Sequence, residues 1–179
     1  LGGEIWLDYF LLSDGAATWG EVNLHRITKP LKEGLPGSLF AYKTGQTGTA
    51  TGVLEHLARE TGGAVFTVNK EDEIKEAAVA HRQRPWQLVD VKVEGVSDLL
   101  FAGRPKTVYA GQSLRLVGRG TPQDDANVVL TFERGEEKKT LNVKLDERVD
   151  SELAPRLYGQ VAVGQLEDLM HATEDVAVS

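Results

Sequence analysis

Ser13-Asp14-Gly15 is the first place in the chain where residue types and spacing could do chemistry. The apolar run Tyr9-Phe10-Leu11-Leu12 stops there abruptly. A short apolar run closed by a turn signal reads as a strand buried on both faces of a parallel sheet. Such a sheet carries its working groups just beyond the carboxyl ends of its strands. Asp14 stands in that place, with Gly15 free to turn the backbone. Two chemistries suit it. The carboxylate can close an Asx turn on a backbone N–H two residues on. It can also ligate a divalent cation, with Ser13 and Gly15 at the rim. Taken alone, Asp-Gly is a common turn dipeptide and the turn is the simpler reading.

Other candidates are weaker. The loop Thr44–Gly52 (Thr-Gly-Gln-Thr-Gly-Thr-Ala-Thr-Gly) is rich enough in glycine to suggest a phosphate cradle. It fails both fingerprints, since no Lys-Ser/Thr follows its glycines and no Gly-x-Gly-x-x-Gly occurs. Thr49 or Thr51 is better placed to cap the next helix. His81 has no second ligand at metal spacing and reads as a helix-flank residue. His171 suits a helix C-terminus. Asp124-Asp125 lacks the EF-hand spacing and reads as a solvated turn. No Gly-x-Ser-x-Gly elbow, zinc-binding helix or paired-acid pattern is present, so a non-enzymatic protein is expected.

These residues must be positioned by elements, and the chain divides into three by its apolar period. Over residues 1–84, short apolar runs at Tyr9–Leu12, Ser38–Lys43 and Ala64–Val68 alternate with helical patterns. The helices are expected at Glu21–Leu31 (ended by Pro30 and Gly34), at Ala50–Thr61 and after an Asn69 cap. Gly62-Gly63 suits a left-handed helix stop. Val53, Leu54, Leu57 and Ala58 form one helix face, and Ile74, Ala77, Ala78 and His81 another. That alternation predicts a doubly wound α/β sheet. Over 85–149 the period becomes two. Val89, Val91 and Val93 share a face, and further strands are expected at Leu99–Phe101, Thr107–Tyr109, Ser113–Val117, Val128–Glu133 and Thr140–Leu145. Gly135-Glu136-Glu137-Lys138 forms a charged hairpin turn between the last two. This predicts a small antiparallel β-sandwich. Over 150–179 the helical period returns after an Asp150 or Ser151 cap. Leu157, Tyr158, Val161, Ala162, Leu166 and Leu169 are expected to be core.

Composition sets the outer bounds. At 179 residues, 41% hydrophobic and 26% charged, the chain is an ordinary globular one of one or two domains. Its net charge of −7 argues against a nucleic-acid backbone as partner. With no cysteine it has neither disulfides nor thiolate metal sites. No run reaches the ~18 apolar residues of a membrane span. A buried strand so near Leu1 suggests that more of the sheet lies upstream, and the chain reads as a piece of a longer protein.

The order of Phe10-Leu11-Leu12-Ser13-Asp14-Gly15, Leu39-Phe40-Ala41-Tyr42 and Leu54-Glu55-His56-Leu57-Ala58-Arg59-Glu60-Thr61-Gly62-Gly63 resembles the C-terminal half of a von Willebrand factor type A (vWA) domain. Val89-Asp90-Val91, Tyr109-Ala110-Gly111-Gln112, Gly118-Arg119-Gly120 and Ala154-Pro155-Arg156-Leu157-Tyr158 resemble the β-rich region that follows it in inter-alpha-trypsin inhibitor heavy-chain-like proteins, which carry a VIT domain before the A domain. The resemblance implies a partial Rossmann-like vWA sheet and a metal-ion-dependent adhesion site. That site holds Mg2+ or another divalent cation and captures an acidic side chain of a protein ligand. Asp14 matches its last aspartate. The Asp-x-Ser-x-Ser loop of the family is absent from this sequence, so this chain would hold one corner of the site. The implied function is protein binding or adhesion, outside the cell or in its envelope. The alternative is a structural scaffold with a degenerate site.

Overall fold

The computed structural model describes residues 7–13, 21, 23–34, 37–44, 51–68, 71–146 and 151–177, with backbone only at 44, 168 and 170–177. Their contacts gather into two compact units. The first is Leu1–Pro85 with Pro105–Ser113, and the second is Trp86–Arg104 with Leu114–Ser179.

The first unit is a mixed α/β layer structure. β1 (Tyr9–Leu12), β2 (Leu39–Thr44) and β3 (Ala64–Val68) form a parallel sheet in that order. α1 (Leu24–Glu33) and α2 (Thr51–Thr61) make the two crossovers. Because side chains alternate across a strand, each strand feeds two cores. Tyr9, Leu11, Leu39, Ala41 and Val65 meet Ile27 and Leu31 of α1 and Val53, Leu54 and Leu57 of α2. Phe40, Ala64 and Phe66 meet Ala77 and Ala80 of α3 (Glu71–Ala80) and Tyr109, with Tyr42 and Val68 alongside. Helices thus cover both faces of the sheet.

The local chemistry follows the residues. Asn23 caps α1, its side chain accepting from the Arg26 N–H at 3.1 Å. Gly62 ends α2 at φ +78°, the left-handed stop that a Cβ would disfavour. Three expectations are corrected here. Pro30 sits inside α1 instead of ending it, and the helix runs on to Gly34, whose N–H reaches the Pro30 carbonyl. The buried face of α3 is Ala77 and Ala80, with Ile74 and Ala78 exposed, because small residues let the helix approach Phe40 and Phe66. β1 is not buried on both faces. Tyr9 and Leu11 are half-buried, but Phe10 is 51% and Leu12 73% exposed. Among the described residues β1 pairs only with β2, and the α3 cluster is built on β2 and β3, so that side of β1 is only partly covered by them.

The second unit is antiparallel. β4 (Trp86–Val93), β8 (Asn127–Arg134) and β9 (Glu137–Lys144) are hydrogen-bonded in that order, and β5 (Val96–Phe101) pairs with β7 (Leu116–Gly120). The short β6 (Thr107–Val108) lies in the stretch that belongs to the first unit. The hairpin between β8 and β9 turns on Gly135 at φ +60° and Glu136. A register shift between Leu88 and Asp90 puts a bulge at Val89. Val91 and Val93 stay half-buried while Val89 is turned out, which breaks the expected three-valine face.

α4 (Ala154–Ala177) packs on β5 and β7 through its first half. Arg119 lies over the Tyr158 ring, and Gln165 donates to the Phe101 carbonyl at 2.8 Å. Ser151 closes the turn just ahead of α4, its hydroxyl accepting from the Leu153 N–H. The expected core stripe is only partly core. Tyr158, Val161 and Ala162 are half-buried, but Leu157, Leu166 and Leu169 are exposed. A 24-residue helix spans about 36 Å, about twice the length of the strands beneath it. No helix among the described residues is long and apolar enough to cross a membrane.

Candidate functional site

The topology designates the carboxyl end of the parallel sheet as the place for a site. β1 delivers Ser13 there, half-buried, directly after Leu12. Asp14 and Gly15, the expected ligand and its companion, lie outside the described residues, as do 45–50 after β2 and 69–70 after β3. Among the described residues no group of three or more His, Cys, Asp or Glu could hold a metal ion. Magnesium requires near-octahedral oxygen ligation. Ser13 alone does not supply it, so the described residues do not make up a cation site.

On the α3 side of the sheet lies an aromatic cluster that the sequence did not announce. The Phe10 ring stacks at 5.9 Å on Phe40 and at 6.3 Å on Tyr42, and meets the His81 ring edge-on at 5.0 Å. Tyr42 in turn stacks on Phe66 and reaches the Ala77 carbonyl with its hydroxyl. Burial pushes the Tyr42 phenol up from its ordinary range, so it remains a donor. His81 fills the position expected of a helix-flank residue, and its buried Nδ1 meets no hydrogen-bond partner among the described residues. Asp124 and Asp125 lie in an exposed turn, with Asp125 in the left-handed region and 2.7 Å from Lys144 Nζ.

Among the described residues, several charges meet elsewhere, where α1 and α2 end. Glu60 receives Lys32 from α1, Arg59 from its own helix at 3.2 Å and Lys106 at 3.6 Å. Burial would raise its pKa. The hydrogen bonds from Lys32 and Arg59, and the charges of Lys106 and Lys32, outweigh that and hold it at about 2. Such a carboxylate carries no proton near neutrality, which suits a clamp. Arg59 also approaches buried His56, its Nη2 lying 2.9 Å from Nδ1. A guanidinium has no acceptor, so Nδ1 must accept and the imidazole is neutral at that nitrogen. Next to the clamp, Tyr109 donates to the Gly62 carbonyl at 2.9 Å and Thr107 reaches the same oxygen. Burial first, and the Asp8 charge second, push the Tyr109 phenol up.

This constellation ties Pro105–Ser113 to the α/β unit. Lys32 and Glu60 are 28 residues apart in sequence and Tyr109 and Gly62 47 apart, and no local motif could have revealed these pairings. Comparison with protein-family models and with characterised proteins settles no family. The chain matches none of them.

Proposed function

We propose that this chain is part of a non-enzymatic, protein-binding module of the vWA kind, followed by a β-rich companion. In this reading Asp14 contributes one ligand to a divalent-cation site, with Ser13 and Gly15 at its rim. The remaining ligands come from residues that this sequence does not contain. The cation then captures a carboxylate of a protein partner, in an extracellular or envelope setting.

One observation carries the reading. β1, β2 and β3 are parallel and in sequential order, their two crossover helices share one face, and the third helix returns to the other. That order agrees with one half of a doubly wound sheet, a fold whose ligands sit beyond the carboxyl ends of the strands and next to the strand where the order reverses. Ser13 stands at that end of β1. The exposed Phe10 and Leu12 beside it agree with a strand that meets further structure in the intact domain.

The test restores the sequence upstream of Leu1 and titrates the intact protein with magnesium by calorimetry. Saturable binding that disappears in Asp14→Ala supports the proposal. Absence of binding, or binding unchanged by that substitution, refutes it in favour of a structural scaffold with a degenerate site.

A further inference from the structure

β9 is an open edge. It pairs with β8 in an unbroken register from Asn127↔Lys144 to Arg134↔Glu137, and among the described residues no strand pairs with its other side. All eight of its residues are exposed. Leu141 and Val143 continue the face formed by Leu130 and Val128 of β8. Leu130 is buried, whereas Leu141 and Val143 remain 42% and 43% exposed. A long, regular strand with free N–H and C=O groups and an apolar face is a template for another strand. Natural edges are guarded against indiscriminate pairing by charge, and Lys138, Lys139 and Lys144 provide that guard here.

The same charges select an occupant. We propose that β9 pairs antiparallel with β9 of a second copy, about a two-fold axis at Asn142. Antiparallel partners share a face, so only registers that oppose residues of like parity keep the two apolar faces continuous. With Asn142 opposite Asn142, Leu141 faces Val143 twice and Lys138 faces Asp146 twice, while Lys139 meets Leu145 and Lys144 meets Thr140. No lysine opposes a lysine. Moving the axis to Leu141 sets Lys138 against Lys144, a like-charge pair that destabilises the ladder. Moving it to Thr140 sets Leu141 and Val143 against Lys139 and Glu137. Moving it to Val143 carries Lys138 and Lys139 beyond the described overlap and loses the Lys138–Asp146 pairs. Lys138 already touches Glu133 of β8 at 3.1 Å, so Asp146 of the second copy extends an existing charge ladder. The interface is isologous, as a two-fold requires. It is also small, so a weak dimer is expected. This inference concerns the second unit alone and is independent of any cation site.

The chain has no cysteine, which makes the register directly readable. Opposed residues in an antiparallel pair have Cα atoms about 4.5–5.5 Å apart, within disulfide range. Asn142→Cys should cross-link to a dimer under mild oxidation. In Thr140→Cys the two cysteines lie roughly 13 Å apart along the ladder and should not. Without cross-linking, sedimentation should show the 19.5 kDa chain moving towards twice that mass with concentration. Leu141→Lys, at an exposed position, should keep the circular dichroism of the parent and stay monomeric. A monomer at all concentrations, equal cross-linking at 140 and 142, or a dimer that survives Leu141→Lys overturns the proposal.

Discussion

Replacing Glu60 by Gln removes a charge from the place where three cations meet, and the structure sets the size of the effect. Lys32 and Lys106 are largely exposed and lose little. Arg59 is different. Its side chain is 8% exposed, so without the carboxylate a nearly buried guanidinium loses an ion-pair contact. The second measure is the pKa of Glu60, held at about 2 against an ordinary 4.5. Discounted for solvent screening, that depression corresponds to about 1–2 kcal/mol of stability. A depressed carboxylate stabilises the fold fully above its unfolded pKa and ceases to do so as pH falls through its folded one. The difference in unfolding free energy between parent and Glu60→Gln should therefore be about 2 kcal/mol at pH 7. It should shrink between pH 4.5 and about 2. Urea denaturation followed by circular dichroism at several pH values measures both. A difference below about 0.5 kcal/mol at pH 7, or one that does not change down to pH 2.5, would refute the clamp.

Two further predictions concern packing. At Gly63 an added Cβ would run into the Leu39 carbonyl of the neighbouring strand. Gly63→Ala should therefore cost about 2 kcal/mol or more in denaturant unfolding, and a neutral result would mean that β2 and β3 can separate without penalty. Phe40→Ala empties a site only 1% exposed and should cost about 3–5 kcal/mol. Phe10→Ala, on the partly covered side of β1, should cost less than half as much by the same assay. Equal losses would show that the Phe10 face is fully covered after all.

Much of the fold was legible because it rests on local periodicity. The Ala64–Val68 strand, the Leu54/Leu57/Ala58 face of α2, the Gly62 stop and the antiparallel strands after Arg84 each follow from a pattern within about ten residues. The period of two after Gln87 marked β4, but the bulge at Val89 was invisible because its cause is the ladder with β8. Apolar character alone misjudged exposure in β1 and α4. It records that a residue prefers burial, and leaves open whether a neighbour is present to bury it. The candidate site was legible only as Ser13-Asp14-Gly15 at a strand end, of which the described residues place Ser13.

What the sequence determined by itself is the set of elements, since they depend on nearest-neighbour chemistry along the chain. Only the tertiary structure decided which strand face and which strand edge stay open among the described residues. It alone brought Lys32, Arg59 and Lys106 around Glu60 and laid Tyr109 against Gly62. Charge pairing of that kind requires proximity in space. The Tyr109 hydroxyl and the Gly62 carbonyl, 47 residues apart, become partners only after the sheet has packed.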